Sequence, residues 1–353
     1  VSAETSEVPL GLRDSKQISR TAREKLIAPV SSWVVEHAIG HVAASEIDEI
    51  GIVPALRLAW VRAHKQLSIK PDHVILDGKH NQLSTPCSDD ILEAPVPQPT
   101  SCRDGYAFRQ HVAAARRNRG VPMIPEFDQY PIFYFTNHNA IQGPGEIPCM
   151  PDHFQKLDFE LEAAVVLGKR GRNVKAADAD QYIAGYMIMN DMSARRLQME
   201  EMLLNLGPAK GKDFSTVIGP WLVTPDELEP FKIDAKPGHV GNSYNLSMKC
   251  WVNGIQVSEG SVGDMDWSFA EIIERCSYGA DIFPGDVIGS GTVGTGCFLE
   301  LNGTGKLNNP EYKEQWLQAG DIVAMEIAGL GHLSNTIVKE ESDFSILALK
   351  KMP

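Results

Sequence analysis

Between Leu157 and Gly168 apolar and acidic residues alternate, with Phe159, Leu161, Ala163, Val165 and Leu167 at one parity and Asp158, Glu160 and Glu162 at the other. A period of two predicts a β-strand and points Glu160 and Glu162 the same way, one strand repeat apart. The plainest reading is an amphipathic strand with a solvated acidic face. A divalent cation shared by like charges so close together is the alternative. Downstream, Gly185-Tyr186-Met187-Ile188-Met189 reads as a buried strand running into a helix. On that helix Asp191, Arg195, Gln198 and Met202, spaced by four, three and four, would share one face. Asp191 would serve equally as a helix N-cap.

The grammar changes along the chain. Early on, Thr21–Leu26 opens one helix and Ile52–Ala63 carries another, while Ala38–Val42 and His73–Asp77 suit short strands, giving α/β character. Beyond the Pro-rich piece Ala94–Pro99 come strands and glycine turns, as in Gly285–Gly294. The change predicts a domain boundary near residues 86 to 91, with one part spanning 1–86 and the other 87–353. No internal repeat or low-complexity tract interrupts either part.

A chain of 353 residues is long enough for two domains and a buried core. Its net charge of −13, with the acid excess lying after residue 86, argues against a nucleic-acid partner, since such proteins concentrate Lys and Arg. The six cysteines are scattered with no C-x-x-C pair, so neither a zinc ribbon nor a small disulfide scaffold is suggested, and a reducing cytoplasm is the simplest reading. No apolar run approaches the length of a membrane span, and Val1-Ser2-Ala3-Glu4 has no signal-peptide character. A soluble, cytoplasmic protein is expected.

Two further clusters carry chemistry. Asp104-Gly105-Tyr106 is followed by His111, a residue that alone is more often structural than catalytic. Lys210-Gly211-Lys212-Asp213 lacks the glycine spacing of a phosphate loop, so nucleotide binding is rejected and Lys212 on its own reads as a solvated loop cation. Glu300, likewise, reads alone as a surface acid in a strand.

Taken in order, Asp104-x-Tyr106-x-x-x-x-His111, Glu160-x-Glu162, Asn190-Asp191-x-Ser193-Ala194-Arg195, Gly211-Lys212-Asp213-Phe214, Gly291-Thr292 and Leu299-Glu300 resemble the fumarylacetoacetate hydrolase family over roughly residues 91–353. The resemblance implies a mainly β fold with α+β elements, a mixed β-sandwich or roll. It implies that Asp104, Glu160, Glu162 and Asp191 hold Mg²⁺ or Ca²⁺, with Mn²⁺ a further candidate, and four carboxylates do suit a hard cation. It also implies that His111, oriented by Glu300, activates water, and that Arg195, Gln198 and Lys212 stabilise an oxyanion as a C–C bond of a small β-diketo acid is cut. Tyr106, Tyr134, Thr292, Met202 and Arg119 match or neighbour substrate-contacting positions. Met202 stands where fumarylacetoacetases have a tyrosine and cannot donate a hydrogen bond. Tyr134 reads equally as a buried strand aromatic, and Arg116, Arg117 and Arg119 as a solvated basic helix face. A homodimer is expected from the family. A 2-oxo acid decarboxylase or isomerase with the same metal-enolate chemistry is the alternative.

Residues 1–86 resemble an internal piece of a type 2 ribonuclease H through Gly11–Lys16, Ala44–Ile52 and Pro71–Gly78, a partial α/β segment. Only Asp77 remains of the carboxylates that two-metal phosphodiester cleavage needs, so no nuclease activity is expected.

Overall fold

The computed structural model describes residues 8–12, 18–69 and 93–351. They belong to two compact units, Val1–Asp90 and Ile91–Pro353. In the first, the expected helices form: α1 (Arg20–Trp33), capped by the Ser19 side chain on the Ala22 N–H, then α2 (Ala44–Ile50) and α3 (Ile52–His64). The strand expected at Ala38–Val42 does not form, and no strand occurs among the described residues of this unit. Instead the Ile39 and His41 carbonyls accept from Gln66 (3.1 Å) and Arg62 (2.7 Å), and Gly40 lies so close to the Ala59 carbonyl that a Cβ would meet it at 1.7 Å. Side chains thus take the hydrogen bonds a sheet would have supplied, and the absence of a side chain at Gly40 permits the close approach. His73–Asp77, Asp77 itself and Cys87 lie outside the described residues.

The second unit is strand-rich. In chain order its principal strands are β1 (Cys102–Gly105), β2 (Phe133–Thr136), β3 (Ile141–Gln142), β4 (Gly145–Cys149), β5 (Leu161–Leu167), β6 (Ile183–Asp191), β7 (Thr216–Ile218), β8 (Ser247–Val252), β9 (Ile255–Ser261), β10 (Val287–Gly289), β11 (Ile322–Ile327) and β12 (Gly331–Lys339). Seven form a mixed sheet in the order β2-β1-β10-β5-β6-β7-β3, and five form a second sheet, β9-β8-β11-β12-β4. The longer helices of this unit are α4 (Arg109–Asn118), α5 (Arg195–Met202), α6 (Phe269–Ser277) and α7 (Phe298–Asn308). Among the described residues no helix is long and apolar enough to cross a membrane.

The alternating stretch explains the architecture and departs from expectation in two respects. It is broken: Leu157–Asp158 pairs with Ser193–Ala194, the backbone turns out at residues 159–160 where the Glu160 N–H is met by the Asn190 side chain (3.1 Å), and β5 starts at Leu161. Its acidic face is also not solvated. Leu161, Ala163, Val165 and Leu167 face the main core, whereas Ala164 and Val166 pack into a second apolar cluster with Cys102, Met187, Met189, Ile218 and Val287. A strand covered on both faces has no wet side, so Glu162 at the end of that second face is wholly buried.

A buried histidine makes part of this fold sensitive to pH. His153, in the turn Pro151–Phe154, accepts the Met150 N–H (3.2 Å) and stacks on Phe214 with ring centroids 4.0 Å apart. Burial, aided by Lys210, lowers its pKa from 6.5 to about 4. The neutral ring is therefore favoured in the fold, so its contribution is complete above about pH 6.5 and is lost as pH falls toward about 4, by up to about 3 kcal/mol. His153→Asn keeps an acceptor without a titrating group, and urea unfolding across that range should show a shallower loss of stability than the wild type. Equal slopes would refute the assignment.

Candidate active site and metal centre

Three strands of one sheet and one turn bring the expected carboxylates together. Asp104 comes from β1, Glu162 from β5, Asp191 from the last residue of β6 and Glu160 from the break before β5. Each offers an oxygen within 4.8 Å of the others, and all four are buried. Asp191 is neither a helical residue nor an N-cap, because β6 carries it and α5 begins only at Arg195 behind Ala194. The even spacing of Asp191, Arg195 and Gln198 therefore crosses a strand end and a turn before entering a helix.

The backbone leaves room for this convergence at two glycines. A Cβ on Gly289 would stand 2.7 Å from Asp104 Oδ1 and 2.9 Å from Glu162 Oε2. Gly291, at φ +80°, approaches the Gly105 carbonyl too closely for a side chain, and its N–H donates to Asp104 (3.0 Å) and Glu162 (3.1 Å). Thr292 Oγ1 lies 3.5 Å from Glu162.

The charges do not cancel. Lys212, which on its own reads as a solvated loop cation and by resemblance as a site residue, is buried and pairs with Glu160 and with Asp191 (2.8 Å). Arg195 donates to Glu160 (2.7 Å) and, through Nε, to Asp158 (2.8 Å). Two cations among four carboxylates leave a negative surplus in a buried site. Burial, reinforced by Asp191, accordingly raises Asp104 to about 7, and burial with Asp104 raises Glu162 well above the usual carboxylate range. Burial also raises Asp191, with Lys212 partly offsetting it. For Glu160 burial is outweighed by Lys212 and Arg195, which hold it near 2. Lys212 is raised because Asp191 and Glu160 outweigh its burial. Asp191 Oδ1 is buried with no hydrogen-bond partner while Oδ2 takes Lys212 and the Tyr134 hydroxyl. Surplus charge, an all-oxygen donor set and an orphaned carboxylate oxygen all fit a hard divalent cation held by Asp104, Glu160, Glu162 and Asp191.

A cleft of about 620 Å³ opens beside this centre. His111, on α4, pairs through Nδ1 with Glu300 Oε2 at 2.6 Å. Glu300 is no surface acid in a strand. It is buried in the first turn of helix α7, and its other oxygen accepts the Thr295 N–H (3.0 Å). A ring nitrogen of His111, an oxygen of Glu160 and Cys297 Sγ lie within 4.8 Å of one another. Arg195 Nη1 donates to Gln198 Oε1 (2.9 Å), so the Gln198 amide group is left to face the cleft.

Tyr106, Tyr134, Thr292, Met202 and Arg119 all line the cleft. Tyr106 meets the His111 ring edge-on at 6.1 Å, Met202 is 46 % exposed at the rim, and Arg119 Nε bonds the Ala115 carbonyl of its own helix (3.1 Å). Arg116 and Arg117 bond instead to the Pro122 carbonyl and to Thr304 Oγ1.

Asp158 has a role that the sequence alone did not suggest. It accepts from Arg195 Nε and from the Phe298 (2.7 Å) and Leu299 (2.9 Å) N–H groups, joining α5 to the N-terminus of α7. Its place on the acidic side of the alternating stretch was the one available signal.

Gly289→Ala should weaken Mg²⁺ binding by at least about tenfold in calorimetry while cooperative melting is kept, because the carboxylate ends must move to admit the methyl group. Unchanged affinity would contradict the site.

Comparison with known proteins agrees with this geometry. Residues 100–338 match the family model described as Fumarylacetoacetate (FAA) hydrolase C-terminal. The chain is 33% identical to "Oxaloacetate tautomerase FAHD2A, mitochondrial" of Bos taurus, over 72% of this chain and 71% of that protein. It is also 33% identical to "Fumarylacetoacetase" of Oryza sativa subsp. japonica, over 76% and 74%. A solved structure, a probable 2-hydroxyhepta-2,4-diene-1,7-dioate isomerase from Mycobacterium abscessus, superposes with a TM-score of 0.54 at 25% identity, covering 73% of this chain and 82% of that one. The strand-rich fold, the buried carboxylate centre and the sequence match together place the chain in the fumarylacetoacetate hydrolase family, whose enzymes include hydrolases, isomerases and tautomerases of small keto acids.

Proposed function

We propose that this protein hydrolyses a C–C bond in a small β-diketo acid of acylpyruvate or fumarylacetoacetate type, and the observation that carries the reading is the buried His111–Glu300 pair beside the carboxylate centre. In the neutral tautomer that donates Nδ1–H to Glu300, the opposite ring nitrogen would take a proton from water. The oxygen so activated adds to the carbonyl carbon. Arg195 and the amide of Gln198, both lining the cleft, would donate N–H groups to the developing oxyanion, and Lys212 would add a buried positive charge. The C–C bond then breaks and the departing carbon takes up a proton, giving two acids.

A divalent cation held by Asp104, Glu160, Glu162 and Asp191, for which Mg²⁺, Ca²⁺ and Mn²⁺ are the candidates, would supply the electron sink that a carbon leaving group needs. Tyr106, Tyr134, Thr292 and Arg119 would orient the substrate, with Arg119 taking a carboxylate and Met202 packing against the chain. The functional unit would be a homodimer, and the catalytic part the chain from about residue 87 onward.

Tautomerisation or isomerisation of a 2-oxo acid is the second reading, favoured by the 33% identity to a protein named oxaloacetate tautomerase. In it His111 moves a proton between carbon and oxygen without consuming water. Product analysis separates the two, since only hydrolysis releases two acids. With acylpyruvates and Mg²⁺, His111→Ala should lower kcat by about a hundredfold to ten-thousandfold, and Glu300→Gln should act in the same direction. Unchanged turnover in His111→Ala would overturn the hydrolase reading.

A further inference from the structure

The mouth of the cleft carries a charged group that the proposed chemistry does not use. Lys156, Lys306, Glu314 and Trp316 all line it. Lys156 Nζ stands 3.6 Å from Glu314 Oε2 and 5.4 Å from the centre of the Trp316 ring, Lys306 pairs with the other oxygen of Glu314, and Trp316 Nε1 donates to Glu314 at 2.9 Å. Two ammonium groups share one carboxylate, which leaves one positive charge unmatched.

The group is fixed to the catalytic machinery through the backbone. Lys156 has φ +77°, a conformation that side-chain-bearing residues seldom adopt, and its carbonyl accepts the N–H of Arg195 (3.0 Å). Trp316 is partly buried against the core, and the next residue, Leu317, bonds back to Leu157. The lysine side chains themselves keep 41 % and 53 % of their exposure and line the cleft, so neither is sealed off from a ligand. A cleft of about 620 Å³ is larger than a pyruvate unit requires, so a bound keto acid has room for a tail that reaches this rim.

We propose that Lys156 and Lys306, tethered by Glu314 against Trp316, form a recognition site for a second, distal carboxylate, so that the preferred ligands are keto dicarboxylates. This rests on the reading of the cleft as a keto-acid site. The pair supplies the polar recognition that Met202 cannot give. Glu314 holds the two lysines in place between ligands and yields part of its pairing when the carboxylate arrives. Lys156 and Lys306 touch only the tail and act on specificity.

The test uses the full chain with saturating Mg²⁺ and ligands that lack a β-dicarbonyl group: 2-oxo dicarboxylates from 2-oxoglutarate to 2-oxosuberate, each against the 2-oxo monocarboxylate of the same length, by calorimetry. At the matching length the dicarboxylate should bind about tenfold more tightly. The preference should collapse in Lys156→Met/Lys306→Met and increase in Glu314→Gln, which keeps an acceptor for Trp316. Opposite signs in the two variants are not expected of residues that merely hold the rim together. A wild-type preference near one at every length, tighter binding of the apolar-tailed monocarboxylates, or a preference unmoved by both variants would overturn the proposal. Because binding is read without turnover, absence of acylpyruvate hydrolysis would count against the proposed reaction and leave this result to stand by itself.

Discussion

Four carboxylates converge in a place where water cannot shield them, and much of the second unit is arranged around that. In a low-dielectric interior each unpaired charge costs several kcal/mol, so such a cluster persists only if cations or protons accompany it. Lys212 and Arg195 supply part of the compensation. Burial and the neighbouring carboxylates push Asp104 and Glu162 upward, as expected where positive charge is short. A divalent cation would supply that charge and take the oxygen ligands it prefers.

The sheet order follows from the same constraint. Strands β1, β10, β5 and β6 lie side by side, so Asp104, Glu162 and Asp191 are presented from strands of one sheet. Glycines at 289 and 291 remove the side chains that would keep those strands or their carboxylates apart. Asp158 then couples helix α5 to the start of α7, which carries Glu300, so the carboxylate centre and the His111–Glu300 pair are joined through one set of buried hydrogen bonds. The rim lysines extend that set outward through the carbonyl of Lys156.

How much of this was legible in the sequence differs residue by residue. Alternation put Glu160 and Glu162 on one side correctly, yet suggested a wet face, because a pattern within one strand carries no information about the second apolar layer of Ala164, Val166 and Met189. The spacing from Asp191 to Gln198 read as helix throughout, whereas pairing of β6 with β7 keeps Asp191 extended. Lys212 and Glu300 look like surface charges until partners distant in sequence bury them. The 189-residue separation of His111 and Glu300 was readable only through family resemblance. In the first unit, Gly40 and the side chains of Arg62 and Gln66 defeated a strand that local composition favoured.

Assignment of the unmatched charge to a divalent cation is tested most directly by diffraction from crystals soaked in Mn²⁺, recorded at the manganese edge. One strong anomalous peak is expected, enclosed by Asp104, Glu160, Glu162 and Asp191, with Asp191 Oδ1 among its ligands. A peak confined to other sites, or none at saturating Mn²⁺, would contradict the assignment.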